Sequence, residues 1–173
     1  SSNISTNFIS WIEWNTPHMP WEKNDLFFAD IDNDGKIKKI KKFTNKLFNK
    51  NIKVSFFQPY WISDNLLVCS EDSSGWWNLL FIDASKIENI FIKKRIEKSL
   101  FEYGSPQWVG GITFFSGTIK DLFCLVKKSN NWILEHYQDL KCIQELYLPF
   151  SSISDFCVFG KKVAIQGSGF NFL

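Results

Sequence analysis

Three short apolar runs packed into 28 residues constrain this chain more than anything else in it. They lie in Phe56–Asp83, FFQPYWISDNLLVCSEDSSGWWNLLFID. The runs are Phe56–Ile62, Leu66–Ser70 and Trp76–Ile82. Ser63-Asp64-Asn65 and Glu71-Asp72-Ser73-Ser74-Gly75 separate them. Each run has strand length, and each gap carries residues suited to tight turns. A fourth run, Ile87–Ile92, follows Asp83-Ala84-Ser85. Four strands on short turns form one antiparallel sheet, and a lone sheet cannot bury its own faces.

The same pattern recurs along the chain. Phe28-Ala29-Asp30, Phe81-Ile82-Asp83 and Tyr137-Gln138-Asp139 each place an aromatic two residues before an Asp. These Asp residues are 53 and 56 positions apart. Each is followed by a polar turn and an alternating run: Lys36–Phe43, Ile87–Ile92 and Cys142–Leu148. Gln58-Pro59-Tyr60-Trp61 is echoed by Pro106-Gln107-Trp108, and Gly75-Trp76-Trp77-Asn78-Leu79 by Asn131-Trp132-Ile133-Leu134. Four-stranded repeats of about 40–50 residues are the signature of a β-propeller.

The expected fold is thus all-β, a partial β-propeller of about three and a half blades in one domain, residues 1–173. The first blade, 1–44, has strands at Ile9–Trp14, Asp25–Ile31 and Lys36–Phe43 and an incomplete inner strand. The second, 55–92, is complete. The third, 104–148, has strands near Pro106–Val109, Ile119–Lys127, Trp132–Tyr137 and Cys142–Leu148. A truncated unit, 151–173, holds Ile153–Phe159 and Lys162–Gln166. Asn45–Val54 and Lys93–Tyr103 are polar linkers, and the second has the composition for a helical turn. Propellers close with about 4–8 blades. The expectation is therefore a piece of a longer protein, processed or cut, since the chain starts at Ser1 without Met. Its open blade edges and faces would favour self-association.

Composition narrows the function classes. Twenty basic and 18 acidic residues give a net charge of +2, which implies no nucleic-acid footprint. The cluster Lys36–Lys42 alternates loosely with Ile and reads as a strand with one wet face, ahead of an anionic partner site. Four cysteines, at 69, 124, 142 and 157, form no C-x-x-C. Cys69, Cys124 and Cys157 lie in apolar runs and read as buried thiols, with a disulfide or metal as weaker readings. That usage suits a reducing, cytoplasmic setting. No signal peptide and no run of about 18 apolar residues is present, so no membrane partner is implied.

Candidate chemistry is sparse. Asp30-Ile31-Asp32-Asn33-Asp34-Gly35 resembles the opening of a calcium loop, but the twelfth position, where a Glu is needed, is Lys41. A turn is the better reading, so no metal and no cofactor is expected. No G-x-S-x-G occurs, and Gly167-Ser168-Gly169 lacks that spacing. Of the two histidines, His136 falls inside a strand and reads as structural, and no catalytic residue is assigned. The most unusual stretch is Trp14-Asn15-Thr16-Pro17-His18-Met19-Pro20-Trp21-Glu22. It reads either as a loop folded onto its own blade by Trp burial or as the lining of a binding surface.

Taken together, Trp14–Trp21, Gln58–Trp61, Gly75–Leu79 and Pro106–Val109 resemble, in order and spacing, the N-terminal propeller of bacterial prolyl-oligopeptidase-family serine peptidases. The branch is that of the acylaminoacyl-peptidases and dipeptidyl-aminopeptidases. The resemblance runs from about Ser1 to Gly167. In that family an α/β-hydrolase domain after the propeller holds the catalytic Ser, Asp and His. No position here matches one of them, and Ile62-Ser63-Asp64-Asn65 replaces the usual Pro-Asp-Gly turn. What the resemblance implies is a non-catalytic cap that admits short peptides to the active site of the missing C-terminal α/β-hydrolase domain. Loops Asn15–Asn24, Glu71–Gly75 and Lys128–Asn131 would then share the face turned to the hydrolase and to peptide substrates. Trp14, His18, Trp21, Glu22, Trp76 and Trp77 would line it. Trp21 and Glu22 would stand nearest the substrate, with Glu22 holding a peptide's amino terminus. The alternatives are a stand-alone propeller that binds proteins as a scaffold, and an aromatic-rich carbohydrate-binding β module.

Overall fold

The computed structural model describes residues 2–3, 7–45, 47–48, 53–107 and 110–169. Among the described residues, fifteen strands form four antiparallel sheets that do not close into a ring. No helix long and apolar enough to cross a membrane occurs among the described residues.

The first sheet holds β1 (Ser2–Asn3), β2 (Phe8–Glu13), β3 (Asp25–Ile31) and β4 (Ile37–Lys42) in that order. Its inner strand is thus present, as two residues. The second holds β5 (Phe56–Ser63), β6 (Leu66–Glu71), β7 (Asn78–Asp83) and β8 (Phe91–Ile96). The third holds β10 (Phe115–Gly117), β11 (Leu122–Lys128), β12 (Asn131–Gln138) and β13 (Lys141–Leu148), with the two-residue β9 (Phe101–Glu102) also on β11. The last is β14 (Ser152–Phe159) paired with β15 (Lys162–Ser168).

The core lies between sheets. In β6 and β7, side chains alternate between two neighbours. Leu67, Cys69, Leu80 and Ile82 pack with Phe8, Leu26 and Phe28 of the first blade. Leu66, Val68, Leu79 and Phe81 pack with Phe115, Leu122 and Leu125 of the third. Both faces are covered, which is why LLVC and LLFI run apolar without a polar break.

Four strand expectations need correction. The fourth strand of blade two is Phe91–Ile96, not Ile87–Ile92: Ile87 and Ile90 are buried from a turn, where they fill the first core. The Lys93–Tyr103 stretch is strand at both ends and forms no helical turn. The inner strand of blade three is Phe115–Gly117. Pro106–Gln107 lies in a connection, and Trp108–Val109 lies outside the described residues. Ile119 belongs to the β10–β11 turn, where Gly117 at φ 127° passes so close to the Asp121 carbonyl that a Cβ would collide with it.

Two composition readings also change. Cys157 is exposed, because β14 belongs to the unit with an open face, whereas Cys69 and Cys124 are buried; all four thiols are free. The Lys36–Lys42 strand is wet on both faces, with Ile37 and Ile40 exposed. The Asp30–Gly35 stretch forms the turn: the Asp32 carboxylate accepts the N–H groups of Asp34 (3.0 Å) and Lys36 (2.8 Å).

Candidate functional site

The first two links between blades are each fastened to the loop that joins the second and third strands of the blade before them. Asn24, at the end of the β2–β3 loop, accepts the Phe56 N–H (2.7 Å) and donates to the Phe56 carbonyl (2.9 Å). Asp72 accepts the Ser55 N–H at 2.6 Å. Burial raises its pKa to about 6, with the Ser55 bond opposing the shift and the Glu71 charge adding to it. Glu71 is fully buried and paired with Arg95 at 2.7 Å, which fixes the loop's start. At the next blade, Tyr103 N–H donates to the Trp77 carbonyl (2.8 Å), and Ser70 Oγ donates to the Tyr103 carbonyl (2.6 Å). These bonds tie the β2–β3 loop and the β6–β7 loop to two of the links between blades.

A cavity of about 640 Å³ opens there, in the size range of ligand sites. Trp77, Phe114, Leu125, Trp132 and Ile153 form its apolar walls, and Glu102, Lys127 and Asp155 its charged lining. Sheet pairing assembles it: β9 runs beside β11 with Glu102 opposite Lys127. Gly104 lets the link pass under the rings of Phe57 and Trp77, since a Cβ there would stand 3.2–3.3 Å from them. Glu102 accepts the Trp77 N–H at 2.8 Å. Burial pushes its pKa up, against the pull of that bond and of the Lys127 charge. The Lys127 ammonium sits 5.9 Å from the Trp132 ring centre. A smaller hollow of about 360 Å³ lies beside Gln58, whose amide donates to the Phe115 carbonyl (2.6 Å) and accepts the Phe114 N–H (2.7 Å).

Behind the cavity lies a buried polar cluster. Glu135 is fully buried in β12 and accepts Tyr103 and Tyr137 hydroxyls, both at 2.7 Å. Lys98, from the link, donates to its other oxygen at 2.7 Å and stands 3.6 Å from Glu145. Burial opposes the Lys98 charge, but the Glu135 bond and both carboxylates outweigh it and hold its pKa above the ordinary value. Burial, first, and the nearby charge of Glu135 drive both tyrosine hydroxyls far above their usual range. Glu135, Cys142 and Glu145 offer ligand atoms within 4.8 Å of one another, yet the Lys98 ammonium already supplies the positive charge there.

The six sequence-derived site residues are divided between two loops. Trp14 (53% exposed), His18, Trp21 and Glu22 stand on the β2–β3 loop, and Glu22 accepts the N–H of Met19 at 2.9 Å. Trp76 and Trp77 stand on the β6–β7 loop. Of the six, Trp77 alone borders the cavity, and it does so from a buried position. Sequence reasoning missed Glu102, Phe114, Lys127 and Asp155. The repeat did carry one signal, since it set Trp132 opposite the Trp76-Trp77 pair. His136 is structural: its ring stacks on Phe123 at 4.3 Å and its Nε2 bonds Asp121 at 3.0 Å.

Comparison with known proteins gives likeness in structure only. No family model matches the sequence, and no curated protein matches it. Among solved structures, puromycin hydrolase superposes with a TM-score of 0.76 at 18% identity, over 97% of this chain and 24% of that one. A puromycin-hydrolyzing peptidase of Mycobacterium tuberculosis gives 0.74 at 21% identity, over 96% of this chain and 24% of that one. The chain thus spans about a quarter of the length of the proteins it matches. Its fold is that of a β-propeller segment, of the kind found in these hydrolases.

Proposed function

We propose that the chain is a non-catalytic propeller segment of a prolyl-oligopeptidase-like serine peptidase. In this reading it caps the active site of an α/β-hydrolase domain and restricts access to short peptides. One observation supports the reading: nearly the whole chain superposes on about a quarter of a puromycin hydrolase and of a puromycin-hydrolyzing peptidase. The face that bears the interstrand loops is the one turned to the hydrolase, with Trp21 and Glu22 toward the substrate. Sieving needs no chemistry from the propeller, because a large folded substrate cannot reach a nucleophile behind a rigid cap. The test is direct. The full-length protein that contains this chain should react with a fluorophosphonate serine probe and cleave short aminoacyl peptides in preference to folded proteins. Absence of labelling sinks the peptidase reading, and equal cleavage of short and folded substrates sinks the capping role.

The chain on its own should self-associate through its open edges and faces. Phe159, 86% exposed, and Ile143, Leu146 and Tyr147 of β13 are apolar surface of the kind that drives association. Sedimentation across the micromolar range should show dimers or larger species, and a strict monomer contradicts this.

A further inference from the structure

The cavity beside Trp77 has a chemistry that capping does not use. Three of its walls are aromatic, from Trp77, Phe114 and Trp132, and ring faces attract cations. Two of its three charged side chains are carboxylates, Glu102 and Asp155. The single cation, Lys127, lies toward the Trp132 ring. One Glu102 oxygen takes the Trp77 N–H, and no second hydrogen bond reaches this carboxylate among the described residues. A purely apolar ligand would leave that half-buried carboxylate short of a donor. An anion would meet two like charges. A cation on an apolar body answers both features, with its hydrocarbon against the rings and its N–H groups on Glu102.

We propose that this cavity binds a primary ammonium carried on an aromatic or aliphatic body, with Glu102 as the anchor and Trp77 and Phe114 as the walls. Lys127 works against the ligand, as a competing positive charge beside the same carboxylate. The proposal stands whether or not a hydrolase domain adjoins the chain.

Calorimetric titration of the full-length protein with tryptamine, and with uncharged N-acetyltryptamine, tests it. Tryptamine should bind at least about tenfold tighter than its acetylated form, as a charge-assisted hydrogen bond requires. Glu102→Gln keeps an acceptor for the Trp77 N–H, and an unchanged Tm will show that it folds. It should weaken tryptamine about tenfold and leave N-acetyltryptamine unchanged. Lys127→Met, at an exposed position, should instead tighten tryptamine severalfold. A purely structural role for these residues cannot produce opposite shifts. The proposal is overturned if wild-type protein binds neither probe, if both bind alike, or if Lys127→Met weakens tryptamine.

Discussion

Strands β6 and β15 each stand second in their sheets, and both are apolar in sequence, LLVCSE against KVAIQGS. Every residue of β6 is buried, while β15 is exposed at five of seven positions. The strands differ in cover. Blade two has a neighbour on each face, whereas the β14–β15 unit buries Phe156 alone among its described residues, with Ile153, Val158, Val163 and Ile165 packed only part-buried beside it. Cys69 and Cys157 make the point with one residue type. Each sits in an apolar run, and one is buried while the other is exposed. In a stack of sheets, burial belongs to the pair of blades and not to the strand alone.

The contrast can be broken first in the core. Phe81→Ala, at a fully buried position between blades two and three, should cost about 3–5 kcal/mol. Phe159→Ala should stay within about 0.5 kcal/mol. Urea unfolding midpoints check both, and similar losses would show that the terminal unit is as well covered as blade two. Next in size, Lys98→Met leaves the buried Glu135 carboxylate without its cation. It should cost about 3 kcal/mol, reduced somewhat because water reaches part of Lys98. A neutral result would mean that the two tyrosine hydroxyls suffice.

A smaller loss than either core change concerns pH. Asp72 has a folded-state pKa of about 6, above its ordinary value of 3.8. Between those values the folded chain holds more protons than the unfolded one, so stability contributed by this group rises as pH falls from above 6 toward 4 and is lost as pH rises through 6. Asp72→Asn should remove about 1 kcal/mol of that pH-dependent difference, the full linkage being discounted for partial exposure. Denaturation midpoints at several pH values measure it, and an unchanged slope would assign the pH dependence elsewhere.

Much of the fold was legible because propeller blades repeat their chemistry. The aromatic–Asp ends, the turn residues and the continuous apolar runs place β3, β6, β7, β12, β14 and β15 to within a few residues. What misled was chemistry that mimics a strand. Ile87 and Ile90 look like an alternating run, yet they fill a core from a turn. Pro106-Gln107-Trp108 echoes β5 because glutamine recurs in cross-blade bonding. Gln107 donates to the Phe56 carbonyl at 2.7 Å, much as Gln58 joins Phe114 and Phe115. The cavity was less legible. Glu102, Lys127 and Asp155 lie some 25 residues apart, and only sheet pairing and blade stacking bring them to one lining. Trp77 was found because the repeat marked it, while a single Glu in a polar linker carries no such mark.

The clamps on Phe56 and Tyr103 bear on how such a chain can be cut and rejoined. The first blade's loop is saturated by Phe56, the first residue of the next blade, and the second blade's loop by Tyr103, beyond its own outer strand. A transplant trimmed at Lys42 or Ile96 would take the Phe56 N–H from the Asn24 side-chain oxygen and the Tyr103 N–H from the Trp77 carbonyl. The exchangeable module therefore overlaps its successor. Shuffling or duplication that respects the overlap, with a graft running through Phe56 or Tyr103, carries its own seal with it.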